Sequence, residues 1–198
     1  LGQALSAARK AIAPKLVEEV ERQLNDLGFL QSRFDVEIIG PSELGQAEAA
    51  VSRTGFDQIE FLFAPNPGEP FKPLKAIASS GEMARVMLAL KTVLATQDSI
   101  PILVFDEVDS NLGGETAGVV GEKMKQIGAN HQVLCITHLA PVAAAGHRHY
   151  LVSKEVVEGR TLTRVTQLDG ESRVEELTRM LGGGGVAARQ HAEELLAK

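Results

Sequence analysis

Two uninterrupted apolar tetrads, ILVF at residues 102–105 and VLCI at residues 133–136, constrain the fold more than any other feature of the chain. A strand with a polar residue at every second position has one wet face, whereas a strand without that alternation is read as buried on both. Each tetrad ends abruptly in polar residues, Asp106 and Glu107 after the first, Thr137 and His138 after the second. Between them, the segment from about Glu115 to Ile127 has helical spacing. A helix joining two buried strands predicts a parallel pair. The chain is therefore expected to be α/β, with its ligand-binding positions at the carboxyl ends of the strands.

The flanking segments are read from their periodicity. Leu5, Ala8, Ile12, Leu16, Val20, Leu24 and Leu27 predict a helix over residues 4–28, with Gly28 as its stop and Pro14 as a point of kinking or restart. FDVEII at 34–39 and residues 59–64 predict strands, the second running into the turn-rich APNPGEP. From Ser79, SSGEMARVMLALKTVLA predicts a turn and then a helix with Met83, Val86, Met87, Leu90, Val93 and Leu94 on its apolar side. LVSKEVV and TLTRVTQL predict a hairpin around Glu158 and Gly159. Ser172 and Glu175 form an S-x-x-E capping box opening a helix that stops at Gly182. Glycines 182–185 then lead into a terminal helix, expected to be a peripheral tail.

Composition removes several classes. Lys and Arg number 20 against 26 Asp and Glu, a net charge of −6, so any nucleic-acid contact must be local. A hydrophobic fraction of 44% with 23% charged residues is that of a folded globular domain. No apolar run approaches the ~18 residues of a membrane span. With 4% aromatics and no Trp, the core must be aliphatic and base stacking cannot be the main activity. Cys135 stands alone, which excludes an internal disulfide and a Cys-rich zinc site, and it is expected to be a small buried hydrophobe. No secretory segment opens the chain, so a cytoplasmic location is expected. Leu1 in place of Met suggests a piece of something longer.

The chemistry concentrates where the strands end. ILVFDE delivers two carboxylates beyond a buried strand; in a nucleotide hydrolase this is a Walker B arrangement, in which Asp106 would hold Mg²⁺ and Glu107 would polarise the attacking water. Taken alone it could equally be an acidic turn. ASSGE at 78–82 places Ser79, Ser80, Gly81 and Glu82 at the start of a long helix, where free N–H groups suit a phosphate, although a Ser there is ordinarily an N-cap. His138 could hydrogen-bond a terminal phosphate. Arg9, Lys10, Lys15 and Arg22 read as a solvated helix face, and His147 with His149 as a poor metal pair.

In this order, the three elements resemble the C-terminal half of an ABC-type ATPase head: signature motif, Walker B, D-loop and switch histidine. DEVDSNLGGETA departs from the transporter-like DEPTSALD pattern and is similar to SMC-related DNA-repair ATPases. LNDLGFLQSRFDVEI, FAPNPGEPFKPLKAIASSGEMARVMLALK and THLAPVAAAGHRHYLVSK extend the likeness to the RecN family over nearly the whole chain. The resemblance implies an ATPase with ATP and Mg²⁺ as cofactors, acting in double-strand-break repair. It implies as partners a second head in a homodimer and DNA ends, with a nucleoid-associated location. Ser79 and Gly81 would then contact the γ-phosphate of ATP held on the opposing head, in a signature that includes Ser80 and Glu82. Asp106 would be the metal ligand, Glu107 and His138 catalytic, and Asp109 part of the D-loop. The signature normally reads Ser-Gly-Gly, so Ser80 puts a Cβ where glycine is usual.

A P-loop requires G-x-x-x-x-G-K-[ST], and GPSELGQA at 40–47 has Gln46 where the Lys must be. In the family that motif lies in an N-terminal segment beyond a coiled coil, so the chain is expected to be half a head. Residues 1–30 would end the returning coiled-coil helix, 31–181 form the C-terminal half of the head, and 182–198 a Gly-rich linker with a terminal helix. Two further readings stay open: another SMC-like or ABC ATPase head, and a non-catalytic dimerisation lobe.

Overall fold

The computed structural model describes residues 1–40, 53–157 and 159–197. The glycine-spaced segment at 40–47 lies, apart from Gly40, outside the described residues. The chain divides into two compact units, Leu1–Asp98 and Ser99–Lys198.

In the first unit, helix α1 (Gly2–Asp26) runs unbroken through Pro14. Proline removes only the bond its own N–H would make, and the rest of the ladder carries the helix on. Gly28, at φ 90°, takes the left-handed conformation that ends it, and Phe29 N–H returns to the Leu24 carbonyl at 3.0 Å. Only the second half of α1 is deeply packed: Val20, Leu24 and Leu27 are fully buried, while Leu5 and Ile12 are exposed. Strands β1 (Arg33–Ile39) and β2 (Gln58–Ala64) pair antiparallel from Arg33 opposite Ala64 to Ile39 opposite Gln58. The short β3 (Lys72–Pro73) adds to β2. Helix α2 (Ser80–Leu94) follows and packs with α1; its Val86, Leu88, Ala89 and Leu90 are buried. Arg9 does not belong to a solvated face. It donates to Asp57 at 2.8 Å and to the Thr54 carbonyl at 2.5 Å, because the chain near residue 54 returns against α1.

The second unit is built on the expected parallel pair, β4 (Ile102–Phe105) and β5 (Gln132–Cys135), joined through α3 (Gly114–Ile127). Inward-facing Leu103, Phe105 and Val108 are buried, as are Ala117, Val120, Met124 and Ile127 of α3. The pair is not buried on both faces. Val104 is 64% and Ile136 62% exposed, and Ile102 and Leu134 share their side. Successive residues of a strand point to opposite faces, and among the described residues only one face is covered.

Beyond β5, the short helix α4 (Ala140–Ala145) precedes a hairpin of β6 (His149–Val157) and β7 (Arg160–Leu168). Helices α5 (Gly170–Met180) and α6 (Val186–Leu196) close the unit. The capping box lies three residues before its expected place. Asp169 is the N-cap and Ser172 occupies N3, where its Oγ accepts from Asp169 N–H at 3.0 Å. D-x-x-S outcompetes S-x-x-E because an Asp N-cap is at least as favourable as Ser. The terminal helix is no peripheral tail: Ala192 is fully buried in one cluster with Leu177, Ala140 and Ala143. Among the described residues, no helix is long and apolar enough to cross a membrane.

Candidate functional site at the carboxyl edge of the parallel strands

Strand register assembles the site. Phe105 lies opposite Cys135, and Ile136 N–H donates to the Phe105 carbonyl at 2.9 Å, so the chain leaves both strands at one level of the sheet. Asp106, Glu107 and His138 are all exposed at that edge. Adjacent strand residues would point Asp106 and Glu107 to opposite faces, but the strand ends at Phe105 and the backbone turns. Glu107 has φ 56°, one of only two described non-glycine residues with positive φ, the other being Asn111. A left-handed glutamate is disfavoured by Cβ sterics by ~1–2 kcal/mol, so the surrounding structure must hold it there. The Ser110 N–H closes this turn on the Glu107 carbonyl at 3.0 Å.

The turn carries Asp109 back underneath the edge, where it is 1% exposed. Its Oδ2 accepts from Thr137 Oγ1 and from the His138 N–H at 3.2 Å, and lies 3.5 Å from His138 Nδ1. Thr137 Oγ1 also accepts from the Leu139 N–H at 3.0 Å, fixing the chain as it enters α4. Asp109 thus differs from Asp106, Glu107 and His138 in facing protein rather than solvent. Sequence reasoning missed Thr137 as its partner, although a hydroxyl beside a strand-end histidine was a visible signal.

Cys135 is half-buried rather than fully buried. Burial, then the Asp109 and Asp106 carboxylates, push its thiol up to about 12, so it stays protonated. His149 is partly buried beside Arg173, and burial followed by that guanidinium holds its imidazole below the ordinary value. Among the described residues, no group of three or more His, Cys, Asp and Glu could hold a metal by itself.

The signature residues belong to the first unit. Ser79 is the N-cap of α2, its hydroxyl accepting from the Glu82 N–H at 3.3 Å. Ser79 and Ser80 are exposed and Gly81 is buried. Ser80 is already the first helical residue of α2 and does not have positive φ, so its Cβ imposes no strain on the signature turn.

The fold that carries these features is that of the head domains of SMC ATPases. A chain from a structural study of ATP-driven dimerization and DNA-stimulated activation of SMC ATPases superposes with TM-score 0.52 at 17% identity, over 91% of this chain and 99% of that one. The Smc head domain of Pyrococcus furiosus, solved with an extended coiled coil and bound to the C-terminal domain of ScpA, gives TM-score 0.55 at 19% identity, over 84% of this chain and 37% of that one. No protein-family model matches the chain. Within the class, the chain is of the RecN type: it is 46% identical over 200 residues to the DNA repair protein RecN of Treponema pallidum, covering 98% of this chain and 34% of that protein. The RecN proteins of Deinococcus radiodurans and Bacillus subtilis are 42% and 39% identical, with 100% and 97% of this chain covered. The chain spans about a third of the length of these relatives.

Proposed function

We propose that this chain is the C-terminal part of a RecN-like, ATP-dependent double-strand-break repair protein, whose heads dimerise to bind and hydrolyse ATP. The observation that carries the reading is the edge of β4 and β5, where Asp106, Glu107 and His138 emerge together from a two-stranded parallel sheet. The bare face of that sheet, Ile102, Val104, Leu134 and Ile136, supports a further layer supplied by the Walker A segment of the parent. Exposed Leu5 and Ile12, seven residues apart on α1, support its reading as the end of a coiled-coil arm.

The donor chemistry fits Mg-ATP. Magnesium favours one or two carboxylates completed by water and phosphate oxygens, which suits exposed Asp106. When bound, Mg²⁺ neutralises charge on the phosphates. Asp106 would hold the metal, and Glu107 would accept the proton of the attacking water at its carboxylate. His138 presents a ring nitrogen to the terminal phosphate. Ser79, Ser80, Gly81 and Glu82 offer the amino end of α2 to the γ-phosphate of the opposing head.

The test is made in the intact parent. Glu107→Gln should preserve ATP binding and reduce phosphate release at least ~100-fold, the scale of a lost general base. Asp106→Asn should weaken nucleotide affinity as well. Near wild-type hydrolysis by the Glu107→Gln protein would remove Glu107 from the mechanism and favour a non-catalytic lobe.

A further inference from the structure

We infer that Asp109 is a positioning residue for His138: its buried carboxylate holds the imidazole in the Nδ1–H tautomer and leaves Nε2 as the ring nitrogen available to a ligand. The inference rests on the reading of His138 given above. It starts from an asymmetry, since the side chain of His138 is 69% exposed while that of Asp109 is 2% exposed. An exposed imidazole has no packing to fix its ring, and a buried carboxylate must find donors.

Both hydrogen-bond donors to Asp109 Oδ2 come from one short segment. Asp109 Oδ2 takes the Thr137 hydroxyl and the His138 N–H at 3.2 Å, so the backbone carrying the imidazole is fixed before its ring is considered. The same oxygen lies 3.5 Å from Nδ1, an ion-pair distance rather than a full hydrogen bond. A bare Nδ1 lone pair facing this anion would be repelled, whereas Nδ1–H is attracted. The neutral ring therefore carries its proton on Nδ1, against the Nε2–H preference of a free histidine in water. The tautomer of a functional histidine is commonly set by the partner of its other nitrogen. Thr137 contributes by holding Leu139 N–H as well, so the carboxylate and the start of α4 are tied through one hydroxyl.

Two measurements test this. The first is the ¹⁵N signature of His138 in the wild-type chain, assigned by its loss in His138→Gln, which needs no variant of Asp109 to fold. The Nδ1–H pattern is expected for the neutral ring, and a predominant Nε2–H pattern overturns the inference. The second is a double-mutant cycle on ATP hydrolysis in the intact parent. Asp109→Asn should lower kcat about 10-fold or more, in the range for losing an orienting partner, yet should have no further effect once His138 is alanine. Additive losses would mean that Asp109 acts on structure generally and not through His138, again overturning it. If His138→Ala hydrolyses ATP like wild type, the reading of His138 as a phosphate contact fails, and the positioning role falls with it for that distinct reason.

Discussion

Two interior glycines of helix α3, Gly118 and Gly121, allow packing and helix propensity to be separated within one element. A Cβ built on Gly121 would meet the Ala145 Cβ at 2.8 Å, the Pro141 carbonyl oxygen at 3.1 Å and the Val142 Cα at 3.4 Å, all in or beside α4. A Cβ on Gly118 meets nothing within 4 Å. Replacing a helix-interior glycine by alanine is worth about 1 kcal/mol in propensity. Gly118→Ala should therefore stabilise the chain by about 1 kcal/mol. At Gly121 the same gain is opposed by overpacking against the Ala145 Cβ and the backbone of α4, which costs about 1–3 kcal/mol. Gly121→Ala is expected to be between neutral and about 2 kcal/mol destabilising, so the two variants should differ by about 1–3 kcal/mol. Urea unfolding followed by far-ultraviolet circular dichroism, with equal slopes for all three proteins, measures that difference. If Gly121→Ala gains as much as Gly118→Ala, α3 and α4 do not approach as described, and α4 loses the contact that fixes the chain just after His138.

Four further outcomes are expected. Because His149 is held below its ordinary value of 6.5, the unfolded chain binds the proton more readily, so stability should fall as pH drops through about 6.5; His149→Gln should flatten that slope in urea titrations at pH 5 to 7, and an unchanged slope counts against it. Glu107→Val should destabilise by more than about 1 kcal/mol, since a β-branched residue resists φ 56°, whereas Glu107→Gly should be no less stable than wild type; the reverse order in thermal melts would show that the turn holds no strain. Leu177→Ala should cost about 2–5 kcal/mol, because a fully buried side chain is truncated where α4, α5 and α6 meet, and a loss below 1 kcal/mol in urea would mean that α6 does not close that core. Duplex DNA should bind this chain only weakly at ~150 mM salt, since a charge of −6 supplies no counterion release; sub-micromolar binding in a polarisation assay would reveal a local basic patch.

The parallel pair was legible because apolar runs and the polar residues that end them are written consecutively in the chain. The exposure of Val104 and Ile136 was not. An apolar run records the surface a strand has to bury and says nothing about which segment buries it. Asp106 and Glu107 were readable as strand-end carboxylates, yet Asp109, three residues on in the same acidic run, goes inside. Nothing in DEVD separates the exposed members from the buried one. The separation depends on the backbone turning at Glu107 and on a hydroxyl 28 residues further along. At Ser80 a Cβ stands where glycine is usual, but the helix begins at that residue and right-handed geometry tolerates any side chain.

Strain and burial are divided unequally along the turn after β4, and the division has a physical logic. Had β4 continued in extended conformation, Asp106 and Glu107 would face opposite sides of the sheet, and Asp109 would lie roughly 10 Å beyond Asp106 at ~3.3 Å per residue. The left-handed Glu107 stops that extension at once and keeps both carboxylates at the edge. The same reversal returns Val108 and Asp109 into the protein, where Asp109 finds Thr137 and the His138 backbone. The unfavourable φ of Glu107 is thus offset by hydrogen bonds that only a reversed chain can make. Glycine would remove the strain but also the carboxylate, so a glutamate in this conformation is what allows one residue to bring a side chain to the edge and turn the backbone that anchors its neighbour.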